Sequence, residues 1–251
     1  MIPLFDSHCH LHDRRLDGVR DDVIDRAVRA GVVGCRTCGT GPEDWDAVAA
    51  LESRPGFEIR KAFGVHPWYA EDLPADWIDR LRAFLATAPE AWVGEIGLDA
   101  IRSPAPTDVS RAVLRVQLEL AAELGRPVIL HGAKAFDELL AACRPFAGRI
   151  PAFIVHAFGG SEVQLRRWLD FGASVSIGGA VTRSARLLGL VAEIPLERLR
   201  IETDSPDMMP VGGVPAIPGT TLNQPSNLVL VAEAIPGACQ TDGTEAARAG
   251  S

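Results

Sequence analysis

The chain has no excess of positive charge. Its 25 lysines and arginines face 33 aspartates and glutamates, a formal net charge of −8. That argues against a general electrostatic grip on nucleic acid, which needs Lys and Arg along the phosphates. It leaves room for an acidic substrate held locally by metal ions, whose charge the count omits. No apolar stretch is long enough to span a bilayer. No secretory signal opens the chain, because Asp6 and two histidines follow the start at once. The five cysteines are scattered and odd in number, which argues against a disulfide framework. The expectation is reduced thiols and a cytoplasmic protein. Cys35 and Cys38 form a Cys-x-x-Cys without a second pair, so they read as small residues on a strand and the turn after it. No strand runs into a Gly-x-Gly-x-x-Gly turn, which weighs against a dinucleotide-binding doubly wound sheet.

What is present is a large apolar fraction, 47% of 251 residues, enough for one big core. Short apolar runs alternate with longer amphipathic segments. Strands are predicted near 3–8, 32–37, 58–65, 91–97, 127–131, 152–156, 172–177 and 199–203. Helices are predicted over 22–30, 43–52, 75–86, 107–124, 135–143, 161–171, 184–194 and 226–235. In the helix at 107–124, Val113, Val116, Leu120 and Leu124 recur at helical spacing and Gly125 ends it. VILH and FIVH are continuous apolar runs, as expected of strands covered on both faces. Eight strand–helix repeats in this length point to an α/β fold, a single-domain (β/α)8 TIM barrel over residues 1–236. Residues 237–251 are small and polar and read as a loose tail.

The chemistry lies at the predicted strand ends. His8 and His10 close the first run and, by strand alternation, point the same way, with Ser7 and Cys9 opposite. His66 follows the third run, Glu95 the fourth, His131 the fifth, His156 the sixth and Asp204 the eighth. Barrel active sites form at this end. Five of the protein's six histidines and two carboxylates at equivalent positions indicate a metal site rather than satisfied core residues. His8 and His10 would serve one ion and His131 and His156 a second, with Glu95 placed to bridge both. Asp204 would ligate the first ion or take a proton from its water. His12 has the right parity but lies past the strand end, a surface or supporting position. Asp6 would share the inward face and orient a ligand imidazole. Trp68 and Tyr69 would either stack on a base or anchor their own loop.

The motifs DSHCHLH, GVHPW, GEIGLD, QLELAAELGRPVILH, HAFGGS, SIGGAVT and ETDSPDM, in this order, resemble the TatD family of metal-dependent hydrolases over residues 2–235. The resemblance implies a TIM barrel binding two divalent cations (Zn, Mn, Ni or Mg) and a deoxyribonuclease-like activity. It implies His8, His10, Glu95, His131, His156 and Asp204 as metal ligands, Asp204 as catalytic base, and His66 near the substrate phosphate. Relatives often carry an Arg after the fifth strand, where Lys134 is the nearest cation here. They often carry a basic pair before Asn-Glu-Pro, where this chain has Thr221 and Leu222. The missing cations weigh against extended duplex DNA and favour a small phosphate ester or a short single strand. An amidohydrolase-like C–N, ester or lactone hydrolase with the same metal pair is the alternative. A non-catalytic metal-binding barrel is a further one.

Overall fold

Runs such as Val128–Leu130 and Phe153–Val155 are buried along their length, as strands between helices and a filled interior must be. The computed structural model of the chain describes residues 3–102 and 106–235. Its eight strands are β1 (Leu4–Cys9), β2 (Val32–Cys38), β3 (Glu58–Phe63), β4 (Trp92–Asp99), β5 (Val128–Ala133), β6 (Phe153–Val155), β7 (Ser174–Ile177) and β8 (Leu199–Ile201). They form one parallel sheet in chain order. The seam between β8 and β1 is closed above the last strand residues. There Asp204 N–H donates to the His8 carbonyl at 3.0 Å, and His10 N–H to the Ser205 carbonyl at 2.7 Å.

The helices are α1 (Arg20–Arg29), α2 (Trp45–Ala50), α3 (Trp77–Thr87), α4 (Asp108–Leu124), α5 (Phe136–Cys143), α6 (Glu162–Phe171), α7 (Ala185–Val191) and α8 (Leu228–Ala234). One follows each strand, so the chain is the expected (β/α)8 barrel. Thr107 caps α4 and left-handed Gly125 (φ +63°) ends it. The predicted polar tail lies outside the described residues. Among the described residues no helix is long and apolar enough to cross a membrane.

Three strands carry an extra residue: β2 has one between Leu4↔Val32 and Phe5↔Gly34, and β1 and β4 have one each near the site. Between the pairs Asp6↔Cys35 and Cys9↔Thr37, β1 advances three residues while β2 advances two. Between Val93↔Val128 and Ile96↔Leu130, β4 does the same against β5. Such bulges re-aim the side chains that follow. Within the β1 bulge, Ser7 bonds Ser176 of the non-adjacent β7 at 2.8 Å and so points into the barrel, the same side as His8. The simple alternation that set Ser7 opposite His8 therefore fails at this bulge. Asp6 consequently does not orient an imidazole. Its carboxylate accepts the Thr203 N–H at 2.9 Å and the Thr203 hydroxyl, tying β1 to the end of β8. Deeper in the barrel, the Arg36 guanidinium lies 3.6 Å over the Trp92 ring.

Candidate metal centre and active site

The six residues expected as ligands meet above the barrel. His8 Nε2 is 3.3 Å from Glu95 Oε2 and 3.5 Å from Asp204 Oδ1. His10 Nε2 is 3.6 Å and 3.4 Å from the same two oxygens. The other Glu95 oxygen, Oε1, lies 2.9 Å from His131 Nδ1 and 2.7 Å from His156 Nε2. Glu95 thus stands between two histidine pairs. Tetrahedral ligands at roughly 2.0–2.1 Å from a zinc-sized ion stand about 3.4 Å apart. The His8, His10, Glu95 and Asp204 set already has that spacing. Both ring nitrogens of buried His8 lack a hydrogen-bond partner, an arrangement that is costly unless a ligand fills it. These residues fit a divalent cation.

Neighbouring groups decide which nitrogen of each ring is available. His10 Nδ1–H donates to the Cys38 carbonyl at 2.8 Å, leaving Nε2 free to ligate. His131 Nε2–H donates to Asp99 Oδ2 at 2.9 Å, leaving Nδ1 toward Glu95. His66 is the reverse case. Its Nδ1 accepts the Trp68 N–H at 3.1 Å, so Nε2 carries the proton. His66, Glu95 and His131 lie close enough to form a metal cluster, yet a protonated Nε2 cannot ligate. His66 is therefore a hydrogen-bond donor aimed past Glu95 Oε1 at 3.5 Å. His12 spends both nitrogens, on the Thr37 hydroxyl at 3.0 Å and Asp44 at 3.2 Å, which confirms a supporting place; it is buried rather than at the surface.

The local backbone positions these groups. Gln117 on α4 grips both the N–H and the carbonyl of Val65, at 2.6 and 3.2 Å, and so holds the loop that carries His66. Glu95 N–H donates to the Gly39 carbonyl at 3.0 Å. Among the described residues the non-glycine positions with positive φ are Lys134, Ala157, Asp204 and Met208, and all line the cleft. Strain of this kind collects at functional sites.

The centre is built for positive charge. Burial pushes the Glu95 carboxyl up, but the facing imidazoles of His156, His66 and His8 hold it well below the usual carboxylate range. Asp204 is likewise held far down against burial, by His10 and His8. Burial pulls the imidazoles down, yet His8, His10 and His131 end above their ordinary value, and His156 is pushed up to about 10 by Glu95 and Glu202. In the metal-free site, protons hold the place that a cation takes when it binds. Burial leaves His66 at about 3 and therefore neutral.

The cleft over this centre has a volume of about 1490 Å³. Lys134, expected as a substrate contact, lines it, is exposed and makes no ion pair among the described residues. Arg14, Arg15 and Arg186 also line it, so the mouth holds cations that the strand-end motifs do not show. Arg15 is already paired with Asp13 and Asp207. Thr221 and Leu222 are not at the mouth. Leu222 packs on the core, and Asn223 donates to the Thr203 carbonyl at 2.9 Å, which anchors the turn before Asp204. Two further carboxylates escaped the sequence reading. Asp99 bonds His131 and accepts the Trp68 indole N–H at 2.8 Å. Glu202 takes the Ala157 N–H at 2.6 Å, and the same oxygen lies 3.4 Å from His156 Nδ1. Both were visible in principle: Asp99 shares the parity of Glu95 in GEIGLD, and Glu202 that of Asp204 in RIETDSP.

A (β/α)8 barrel with histidines and carboxylates gathered over its strand ends defines the class of metal-dependent hydrolases. A sequence model described as TatD related DNase matches residues 5–249, and the chain belongs to that family. It is a hydrolase acting on ester bonds. A "3'-5' ssDNA/RNA exonuclease TatD" from Erwinia billingiae is 34% identical over 239 residues, 93% of this chain and 90% of that one. The crystal structure of a TatD homologue from Escherichia coli K12 superposes with a TM-score of 0.83 at 29% identity, over 94% of this chain and 92% of that one. A TatD family hydrolase from Entamoeba histolytica shows the same fold, with a TM-score of 0.84 at 22% identity over 95% and 92%.

Proposed function

We propose that the protein is a two-metal phosphodiesterase that removes nucleotides from the 3′ end of single-stranded DNA or RNA in the cytoplasm. The observation that carries this reading is the Glu95 carboxylate, with one oxygen facing His8 and His10 and the other facing His131 and His156. His8, His10, Asp204 and Glu95 would hold one divalent cation; His131, His156 and Glu95 would hold the other. Mn²⁺, Zn²⁺, Ni²⁺ and Mg²⁺ are the candidates, and imidazole-rich ligation favours a transition metal. Bound there, such a pair supplies a Lewis acid for the phosphate and an acidified water. Asp204, ionised and at the cleft, accepts the proton of the attacking water. His66 Nε2–H donates to a non-bridging phosphate oxygen and, being neutral, keeps that proton through neutral pH. The buried thiols described here, all unpaired, support a reducing compartment. The Erwinia billingiae relative, named for 3′–5′ action on ssDNA and RNA, supports the substrate class.

The test is metal-loaded protein on a 3′-hydroxyl single-stranded oligonucleotide, a p-nitrophenyl phosphodiester, and a panel of amides and lactones. Mononucleotides should be released from the 3′ end, and Asp204→Asn should slow release at least about a hundredfold, the scale of a lost general base. Hydrolysis confined to the amide or lactone panel overturns the proposal. Turnover no faster than that of Asp204→Asn on every substrate would instead favour a metal-binding platform.

A further inference from the structure

Trp68 touches the centre twice. Its backbone N–H occupies Nδ1 of His66 at 3.1 Å, and its indole N–H donates to Asp99 Oδ2 at 2.8 Å. That same oxygen takes the His131 Nε2–H at 2.9 Å. One carboxylate oxygen is thus shared between a ring at the mouth and an imidazole of the centre. Asp99 Oδ1 is held by the N–H groups of Ile101 and Arg102, at 2.6 and 2.9 Å. With Oδ1 pinned, the indole and the imidazole are what fix the rotation of the carboxylate. The Arg102 guanidinium, carried by the same turn, lies 4.9 Å from the centre of the Trp68 ring. Trp68 nonetheless lines the cleft 48% exposed, while the other four tryptophans are buried or half-buried. Its one polar side-chain atom is tied inward, so what it offers the cleft is a flat apolar surface of the kind that stacks on a base.

Resting on the phosphodiesterase reading above, we infer that Trp68 is a positioning residue that couples base stacking to metal binding. A nucleobase seated on its indole strengthens, through Asp99, the hold of His131 and His156 on their cation. The physical basis is ordering. A half-exposed side chain loses rotamer freedom when it is fixed. A base stacked over the indole supplies that ordering once, and the second ligand to bind meets a ring already in place. With the indole on Asp99, Oδ2 faces His131 Nε2 and the ring presents Nδ1 to the centre. With the indole swung away, Asp99 and His131 turn more freely. Linkage makes the effect reciprocal, so base and cation raise each other's affinity by the same factor. The bond to His66 runs through the Trp68 backbone and survives any change of the Trp68 side chain.

Adenosine is the probe, because it carries a base and no phosphate with which to reach the ions itself. Zn²⁺ is titrated calorimetrically into the chelator-treated full chain, with and without saturating adenosine. In the native protein adenosine should quench emission from Trp68, the exposed one of five tryptophans. It should tighten one Zn²⁺ binding step at least about fivefold and leave the other unmoved, and Zn²⁺ should tighten adenosine by the same factor. Trp68→Phe keeps a stacking ring but has no indole N–H. It should still bind adenosine, while the tightening disappears and that Zn²⁺ step is weaker than native with or without the base. Trp68→Ala should weaken adenosine as well, at least about fivefold. On a single-stranded oligonucleotide Trp68→Phe should lower kcat with KM little changed, whereas Trp68→Ala should also raise KM. Absence of quenching by adenosine overturns the inference, and so does bound adenosine that leaves every Zn²⁺ step unchanged. A Trp68→Phe chain that binds Zn²⁺ and couples adenosine as the native one does overturns it too. Coupling without hydrolysis of any oligonucleotide defeats the phosphodiesterase reading alone; an active phosphodiesterase without coupling defeats this inference alone.

Discussion

His66 and His131 lie side by side, their rings 4.3 Å apart, and one hydrogen bond each gives them opposite chemistry. Trp68 N–H occupies Nδ1 of His66 and makes it a donor at Nε2; Asp99 occupies Nε2 of His131 and frees its Nδ1. Asp99 therefore works through His131. Asp99→Ala should weaken the cation bound by His131 and His156 about 10–100-fold, the usual effect of losing the partner behind a ligand histidine. Calorimetric metal titration reads this directly, and an unchanged affinity would remove Asp99 from the site. Protonation provides a second residue-level test. Against the downward pull of burial, Glu95 and Glu202 push metal-free His156 up from its ordinary 6.5 to about 10. A raised value means that the folded state favours the proton. The resulting stability is full below about pH 6.5 and is lost as pH climbs toward about 10. Burial raises Asp6 from 3.8 to about 7, so its contribution likewise disappears as pH rises through about 7. His66, lowered to about 3, has the opposite sign and costs stability only as the solution is acidified. Metal-stripped protein should accordingly melt at a lower temperature at pH 9 than at pH 6 in a circular-dichroism scan. A melting point that rises over that interval would contradict these assignments.

Strands and helices are where local pattern speaks most plainly. Apolar runs such as VILH and FIVH became β5 and β6, and the spacing of Val113, Leu120 and Leu124 became α4, because burial on both faces or on one stripe leaves its period in the chain. The cluster of histidines and carboxylates over the strand ends was legible for the same reason: polar residues that end buried runs stand out. An inserted residue is a different matter. Nothing local marks the bulges in β1 and β4, because they answer to the register of neighbouring strands. So Ser7 and Asp6 were misplaced while His8 and His10 were not. Arg14 and Arg186 reach the mouth through loops far apart in sequence, beyond the range of any periodicity. Above the β4 bulge, Gly97 (φ +156°) passes so near β5 that a Cβ would collide with the His131 carbonyl. Gly97→Ala should cost about 2–3 kcal/mol in urea unfolding through overpacking and should shift His131. A loss below about 0.5 kcal/mol, the range of neutral surface changes, would show that β4 and β5 can part there.

At the scale of the molecule, the site belongs to no single element. β1, β4, β5, the end of β6 and the turn after β8 each contribute to one cluster, so the cluster exists only while the barrel is closed. The closure is completed by the segments that carry His8, His10 and Asp204. Asp204 N–H is bonded to the His8 carbonyl and His10 N–H to the Ser205 carbonyl, so the β8–β1 seam and the first cation position share residues. A cation bound there opposes opening of that seam and binds the unfolded chain far less well. Its effect on stability then follows mass action, about 4 kcal/mol when the free ion is at roughly a thousand times its dissociation constant. For a chain of this size each kcal/mol is worth about 2–4 °C in Tm. Adding Mn²⁺ or Zn²⁺ to chelator-treated protein should therefore raise Tm by about 8–16 °C. His8→Ala should abolish most of that rise, because it removes the ring whose two nitrogens are otherwise unsatisfied. His12→Ala should keep the rise even if its starting Tm is lower, since His12 spends its nitrogens on Thr37 and Asp44 and offers none to an ion. If His12→Ala lost the metal-dependent rise and His8→Ala kept it, the ligand set would have to be redrawn around the third histidine of the opening motif.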